Sequence, residues 1–159
     1  MAIEMKSEYE ILFLTEAHLA EVAALERLCF SEPWSENSLR MLTETGGVGF
    51  VALSDGHVMA YGGMTTVLDE GAVTNIATHP SARRQGLGRA VTEALLTYAR
   101  DHGIRAVFLE VRESNEAAIR LYGALGFRAC CVRKNFYRQP TESAIQMVWE
   151  DGTTEEMKK

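Results

Sequence analysis

The order of strand-like and helix-like segments predicts an α+β fold, an α/β mixed sheet that is mostly antiparallel. Strand-like runs dominate the first half of the chain, and Asp55-Gly56 between two of them has the composition of a tight hairpin turn. A strand, helix, strand unit follows, and its two strands should run parallel because the helix carries the chain back across the sheet. Two strand-like runs close the chain after a last helix. The pattern therefore predicts about seven strands and four helices.

The first half alternates short strands with two helices. Thr15 can cap a helix after the first strand, and the apolar residues of that helix recur at helical spacing. They are Leu19, Val22, Ala23 and Leu28. A proline in the run from Ser31 to Trp34 breaks the helix, and Ser35 can cap a second one that extends to about residue 44. Strands are predicted at residues 9–14, 48–53, 57–66 and 72–78.

The second half contains two longer helices. The first has an apolar face formed by Ala90, Val91, Ala94, Leu95 and Tyr98, and Gly103 can close it. Ser114 can cap the second, which should end near Gly126. Strands are predicted at residues 106–111, 127–137 and 144–149.

Length and composition fit one domain over residues 1–150 with a polar, disordered tail at 151–159. No segment approaches the roughly 20 apolar residues of a membrane span, and no basic leader precedes an apolar run, which favours a soluble protein in the cytoplasm without a membrane partner. A formal net charge of -6 argues against nucleic acid as a partner. The three cysteines and four histidines match no zinc spacing, so no metal is expected.

One stretch concentrates arginines and glycines between a strand and a helix. Glycine lets backbone N–H groups approach an anion, and the N-terminus of the following helix adds its positive end. We interpret this stretch as a cradle for a diphosphate; its residues are Arg83, Arg84, Gln85, Gly86, Leu87, Gly88, Arg89 and Ala90. The spacing matches neither the P-loop nor the dinucleotide fingerprint. An ordinary strand-to-helix turn with solvated arginines is the alternative.

Two residues downstream of the cradle are candidates for chemistry. Glu110 interrupts an apolar strand, where a carboxylate needs a partner, water or a catalytic use. Tyr122 lies seven residues after Asn115, so the two share one helix face. An ion pair with an arginine is the alternative for Glu110, and a core aromatic is the alternative for Tyr122.

The cradle, written Arg-x-x-Gly-x-Gly, and the run from Ser114-Asn115 to Leu121-Tyr122 resemble the signatures of the GCN5-related N-acetyltransferase (GNAT) superfamily. The resemblance spans residues 9–149 and implies a GNAT-like fold and acetyl-CoA as cosubstrate. It implies that the cradle amides bind the coenzyme pyrophosphate and that Asn115 and Tyr122 contact the coenzyme. A backbone N–H of Ile76 or Ala77 would stabilise the oxyanion.

Within that superfamily the chain resembles the RimI type, the ribosomal-protein-alanine N-acetyltransferases. The similarity lies in the segments 29–34, 75–77, 109–115 and 133–137. It implies that Glu110 is the general base and Tyr122 the general acid in direct acetyl transfer to a protein N-terminus. The residues expected to line the substrate site are Phe30, Pro33, Trp34, Asn75, Asn135 and Tyr137.

Three alternatives to this function stay open. The first is acetyl transfer to a different acceptor, either a small amine or a lysine side chain. The second is a domain that senses acyl-CoA and catalyses no reaction. The third is a cysteine nucleophile among Cys29, Cys130 and Cys131, which is disfavoured because no histidine stands in an activating motif. Adjacent thiols on a strand should also point to opposite faces, so at most one of the pair could face a cleft.

Overall fold

A computed structural model describes residues 9–152 of the chain. Within this range seven strands form one sheet. They are β1 (Tyr9–Phe13), β2 (Gly47–Ser54), β3 (His57–Val67), β4 (Glu70–Thr78), β5 (Ala106–Arg112), β6 (Arg128–Tyr137) and β7 (Glu142–Glu150). The helices are α1 (Leu19–Cys29), α2 (Glu36–Leu39), α3 (Leu87–Asp101) and α4 (Glu116–Ala124), with 3-10 turns at Glu16–His18, Arg40–Thr43 and Pro80–Ala82.

The sheet is mixed and mostly antiparallel. Its strand order is β1, β2, β3, β4, β5, β7, β6. The pairs β1 with β2, β2 with β3, β5 with β7 and β6 with β7 are antiparallel, whereas β4 and β5 are parallel. The predicted α+β class is therefore confirmed, together with the parallel strands of the strand, helix, strand unit. The hairpin is confirmed as well, because Asp55 and Gly56 have the positive φ values of 50° and 80° that such a turn requires.

The chain divides into two compact units. Among the described residues, the first comprises 9–65 together with Thr74–Leu95, and the second comprises Thr66–Val73 and 96–152. The core of the first unit forms where Leu19, Val22 and Leu25 of α1 pack with side chains such as Val51 and Tyr61. In the second unit the buried side chains alternate along β5, at Val107, Leu109 and Val111.

The predicted apolar face of α1 is wrong at one position. Leu28 is 57% exposed, whereas Glu26 is fully buried. At about 100° per residue Leu28 lies on the opposite side of the helix from Leu19, whereas Glu26 lies on the same side as Leu19. The buried stripe of α1 therefore has a carboxylate in its middle.

Two predicted boundaries in the second unit shift. Asn115, not Ser114, caps α4, because its side-chain oxygen accepts a hydrogen bond of 3.2 Å from the Ala118 N–H. Asp151 is buried, and its N–H donates to the Arg105 carbonyl at 2.9 Å. Any tail thus begins after Asp151, and the remainder of the predicted tail from residue 153 lies outside the described residues.

Candidate active site

The cradle loop joins the 3-10 turn Pro80–Ala82 to α3. Arg84 and Gly86 have φ values of 67° and 79°, in the left-handed region that glycine enters at little cost. Nothing lies within 4 Å of the position that a Cβ would occupy at Gly86, so the backbone conformation, not crowding, requires glycine there. Gly88 differs, because it lies inside α3, where its carbonyl accepts a hydrogen bond of 2.6 Å from the Thr92 hydroxyl.

The N-terminus of α3 leaves backbone donors free within the helix. The Ala90 N–H donates to the Gly86 carbonyl at 3.0 Å. The N–H groups of Leu87, Gly88 and Arg89 precede that bond and therefore have no carbonyl one turn earlier inside the helix. These donors, with the positive end of a helix of 15 residues, fit a diphosphate group.

The three arginines of the cradle are not equivalent. Arg83 is directed back to the end of β4, with its Nε 3.4 Å from the Thr78 carbonyl oxygen and its Nη2 3.8 Å from the Cys29 Sγ. Arg84 and Arg89 are exposed. The Arg89 Nε lies 3.7 Å from the Glu93 Oε2, and both side chains of this pair are about half-exposed. Such a surface pair is weak, so Arg89 can turn to an anion at little cost.

The predicted oxyanion residues lie in the part of β4 that belongs to the first unit. The ladder between β4 and β5 pairs Glu70 to Ala72 with Ala106 to Phe108, and Ile76 and Ala77 lie beyond its last pair. Ala77 is buried and Ile76 is half-buried. Their role as N–H donors stays a prediction.

Glu110 is held on β5 through one oxygen. The Gln146 Nε2 donates to Glu110 Oε2 at 2.9 Å from the directly opposed position on β7, and the Arg133 Nη1 lies 3.3 Å from the same oxygen. No hydrogen bond among the described residues uses Oε1. The side chain is 22% exposed, and the ion pair with the half-exposed Arg133 is worth little by itself. The carboxylate is therefore oriented but still has an oxygen for another partner.

Tyr122 is linked electrostatically to Tyr137, and Tyr137 is linked to Glu110. Burial raises the pKa of Tyr122 to about 12, with a smaller contribution from Tyr137. Burial also raises the pKa of Tyr137 to about 12, and the Glu110 charge is the second cause. Tyr122 is 8% exposed and packs edge-on against Phe127 with ring centroids 5.8 Å apart, so it is a core aromatic with a hydroxyl that stays protonated near neutral pH.

Arg112 fixes Tyr137 and is a residue that the sequence did not single out. Its guanidinium lies 4.4 Å from the centre of the Tyr137 ring and donates to the carbonyls of Pro140 and Arg138 at 3.0 and 3.1 Å. Arg112 also pairs with Glu142 at 3.2 Å. The other oxygen of Glu142 accepts the Ser114 N–H at 2.7 Å. Hydrogen bonding by the Ser114 side chain is the main reason that the pKa of Glu142 is lowered, and the Ser114 N–H contributes in the same direction. The contacts of Arg112 thus link Tyr137 to the residue before the cap of α4.

The segment 135–137, predicted to border the substrate, follows an irregular part of β6. The register with β7 shifts between Arg133 and Tyr137, and Asn135 has a φ of 53°. Phe136 is 43% exposed, with the Arg133 guanidinium 5.5 Å from its ring centre. Exposed aromatic surface of this kind is available to a partner.

The predicted substrate residues of the first unit gather around the buried Glu26. Phe30 and Trp34 are half-buried against the core of that unit, whereas Pro33 is exposed. Glu26 accepts hydrogen bonds from the Trp34 N–H at 2.9 Å and from the Asn75 Nδ2 at 2.9 and 3.2 Å. The sequence analysis missed Glu26, although its place in the apolar repeat of α1 was a usable signal.

The expectation for the two adjacent thiols is wrong. Cys130 and Cys131 are both exposed, and their Sγ atoms lie 3.6 and 3.2 Å from the Oε1 of Gln146. A register shift of β6 between Ala129 and Cys131 interrupts the alternation of faces that a regular strand imposes. Both thiols therefore flank the glutamine that orients Glu110.

Within residues 9–152, no group of three or more His, Cys, Asp or Glu side chains is placed to hold a metal ion. None of the helices in that range combines the length and apolarity needed to cross a membrane.

Comparison with known proteins identifies relatives of this chain and of its fold. The model of the acetyltransferase (GNAT) family matches residues 19–127. The chain is 38% identical over 113 residues to ribosomal protein bS18-alanine N-acetyltransferase of Escherichia coli K12, covering 71% of this chain and 76% of that protein. It is 34% identical over 139 residues to the Salmonella typhimurium enzyme of the same name, covering 86% and 94%. The crystal structure of the Escherichia coli ribosomal-protein-S18-alanine N-acetyltransferase matches with a TM-score of 0.84 at 35% identity, over 89% of this chain and 93% of that one.

Proposed function

This chain belongs to the GNAT family of acetyltransferases and is an acetyl-CoA-dependent N-acetyltransferase, and from that premise we propose that it acetylates the N-terminal α-amine of a protein. The proposed acceptor is an N-terminal alanine of a small-subunit ribosomal protein. The names of the relatives support this choice, since the Escherichia coli and Salmonella typhimurium enzymes are named for alanine acetylation of ribosomal protein bS18. The resemblance to the RimI type is thereby confirmed.

The coenzyme would be held by the cradle. The amides at the start of α3 and the guanidiniums of Arg84 and Arg89 would bind the diphosphate. Asn115 keeps its amide nitrogen for the coenzyme arm, because its oxygen already caps α4. When bound, the coenzyme supplies an acetyl group activated as a thioester. The residues of the chain then have to position the amine, remove its proton and stabilise charge.

Glu110 is the proposed base. The observation that supports this role is that its two partners among the described residues, Gln146 and Arg133, both contact the same carboxylate oxygen. Gln146 and Arg133 orient Oε2, which leaves Oε1 to accept a proton from the substrate ammonium directly or through water. An oriented base of this kind contributes about 10² to 10⁴ in rate. The proton leaves the nitrogen before it attacks, and the N–H of Ile76 or Ala77 would stabilise the oxyanion.

Tyr122 is proposed as the donor to the leaving sulfur. A phenol with a pKa of about 12 is fully protonated at neutral pH, so it can always donate. Complete transfer to a thiolate of reference pKa about 8.5 would be uphill on the order of 5 kcal/mol. We therefore assign Tyr122 a hydrogen bond that stabilises the developing thiolate rather than an early proton transfer. The nitrogen would lose its second proton as the amide forms, and the released thiolate would take up one proton, so the exchange balances.

An α-amine suits this site better than a lysine. Reference pKa values are about 7.7 to 8.0 for an α-amine and about 10.4 for lysine, so deprotonating lysine at neutral pH costs roughly 3.4 kcal/mol more. A single half-buried carboxylate is a modest base, which favours the amine that loses its proton more easily.

The test compares acceptors at fixed acetyl-CoA concentration. Peptides that begin with Ala, Ser, Gly and Met are assayed beside N-terminally blocked peptides with an internal lysine, and beside spermidine. We expect the unblocked alanine peptide to have the highest kcat/KM. Equal rates on blocked peptides would refute the α-amine assignment, and faster spermidine acetylation would favour a small-amine enzyme. Binding of acetyl-CoA without turnover of any acceptor would favour a sensing domain.

A further inference from the structure

Glu26 is a fully buried carboxylate that the proposed mechanism does not use. Burial of a charge without partners is costly, so such a group is retained only with hydrogen bonds around it. Its neighbours belong to three other segments of the first unit. They are Tyr61 on β3, Asn75 on β4 and Trp34 in the segment after α1.

Both oxygens of the Glu26 carboxylate accept hydrogen bonds from protein donors. Oε1 accepts from the Trp34 N–H at 2.9 Å and from the Asn75 Nδ2 at 3.2 Å. Oε2 accepts from the Asn75 Nδ2 at 2.9 Å and from the Tyr61 hydroxyl. Three donor groups thus engage both oxygens, and the carboxylate is fully buried, so a substrate ammonium does not reach it. Glu26 can therefore act only through the residues that it holds.

The first of these residues is Asn75. An ionised carboxylate only accepts hydrogen bonds, so it fixes the orientation of the Asn75 amide with Nδ2 toward Glu26. Its other polar atom, Oδ1, is used by no hydrogen bond among the described residues. Asn75 is half-buried, so this oxygen is the atom of the side chain that can accept a hydrogen bond from a substrate N–H.

The second is the segment 30–34, which residue 26 holds at both ends. The backbone carbonyl of Glu26 accepts the Phe30 N–H at 2.9 Å and ends α1. Its carboxylate accepts the Trp34 N–H at the same distance. The intervening residues have no helix or strand of their own, so these two bonds define where the aromatic side chains lie.

We propose that Glu26 is the positioning residue of the acceptor site. It holds the segment 30–34 against the core and turns Asn75 so that Oδ1 receives an N–H group from the first residues of the acceptor. The contact that determines specificity is then the hydrogen bond from the acceptor N–H to the Asn75 Oδ1. The buried Glu26 carboxylate keeps this oxygen in position. This inference rests on the proposed function, because it assigns Asn75 and Trp34 to the wall of the acceptor site.

The experiment measures KM for an alanine-initiated peptide, kcat, and acetyl-CoA affinity by calorimetry in Glu26→Gln, Asn75→Ala and the double variant. In Glu26→Gln an NH2 group replaces one carboxylate oxygen and faces the donors that this oxygen accepted. The Asn75 amide then loses the acceptor that fixes its orientation. We expect KM for the peptide to rise about tenfold in each single variant, with kcat and coenzyme affinity changed less than about threefold. The double variant should be no worse than the poorer single variant, because both changes remove the same contact.

Glu21→Gln is the matched control. Glu21 lies on the same helix, and its Oε2 accepts the Val58 N–H at 3.1 Å, without a bond to the segment 30–34 in the described structure. We expect an unchanged peptide KM in this variant.

Three outcomes overturn the inference: an unchanged peptide KM in a folded Glu26→Gln variant, independent additive effects of the two substitutions, or a loss of kcat at constant KM. If Glu26→Gln fails to fold, Asn75→Ala decides alone, and an unchanged KM there refutes the inference. Wild-type protein that acetylates no α-amine refutes the proposed function instead, whereas active wild type with normal variants refutes only the role of Glu26.

Discussion

Glu26 and Glu110 are carboxylates in different units of the molecule, and their surroundings differ. Glu26 is fully buried and surrounded by three neutral donor residues. Glu110 is partly exposed, and among the described residues its carboxylate has partners on one oxygen only. A buried carboxylate with protein donors on both oxygens supports structure, whereas a partly exposed one with an unoccupied oxygen can take up a proton. The two carboxylates, Tyr122 and the thiols beside Gln146 can therefore be tested separately.

The largest expected effect is on catalysis in Glu110→Gln. We expect kcat to fall by about 10² to 10³ because the amide cannot accept the ammonium proton, while acetyl-CoA affinity is retained. Steady-state kinetics and calorimetry measure the two quantities. Glu113→Gln is the control, since that exposed side chain lies three residues later. Retention of more than a tenth of the wild-type kcat would remove Glu110 from the mechanism.

Removal of the Glu26 carboxylate should reduce the free energy of unfolding more than removal of the Glu110 carboxylate, the reverse of their expected effects on kcat. Glu26→Ala leaves buried donors of Tyr61, Asn75 and Trp34 without an acceptor, and we expect a loss of about 3 kcal/mol in the free energy of unfolding. Glu110→Ala should lose less than about 1 kcal/mol because its ion pair is partly solvated. Urea denaturation followed by circular dichroism measures both. Equal losses would contradict the contrast between the two sites.

Tyr122→Phe should reduce kcat by about 30-fold, because it removes one hydrogen bond to developing negative charge and keeps the ring that packs on Phe127. The control is Tyr98→Phe. Tyr98 lies in α3, and its ring stacks on the ring of His102 in the turn that follows the helix. If kcat of Tyr122→Phe stays within twofold of wild type, Tyr122 is a packing residue only.

The raised pKa of Tyr122 also predicts a pH dependence of stability. The folded-state pKa of about 12 lies above the ordinary value of 10, so burial favours the neutral phenol. The associated stabilisation is complete below pH 10 and is lost as the pH rises toward 12. Between about pH 9 and pH 11 the wild type should lose about 1 kcal/mol more than Tyr122→Phe. Urea titrations at each pH measure this difference, and parallel pH profiles would show that the hydroxyl is solvated.

The smallest effect concerns the thiols beside Gln146. Cys130→Ser and Cys131→Ser keep a hydrogen-bond donor near the Gln146 Oε1, so we expect kcat to change less than about twofold. Alkylation of the same thiols with a bulky maleimide should reduce kcat severalfold, because the added group displaces Gln146 and with it Glu110. Mass spectrometry locates the modified residue. Full activity after modification of both thiols would mean that Gln146 does not position Glu110.

The errors in the sequence-based predictions have different physical causes. Spacing alone placed Leu28 in the core and overlooked Glu26, although the helical period favours residue 26. The capping residue of α4 moved by one position, because Ser and Asn are both good caps and only the loop geometry chooses between them. The bulge in β6 is invisible in the sequence, since no glycine marks it and the strand residues themselves fit a regular ladder.

The amino-acid sequence by itself determined the element order, the mixed sheet with its parallel pair, the cradle at the start of α3 and the family. These depend on local periodicity, turn chemistry and short motifs, which are contained in neighbouring residues. Only the tertiary structure decided which oxygen of Glu110 is held, that Arg112 fixes Tyr137, and that Glu26 joins three segments of its unit. Such contacts depend on strand register and on side chains far apart in the chain, and a shift of one residue would change every one of them.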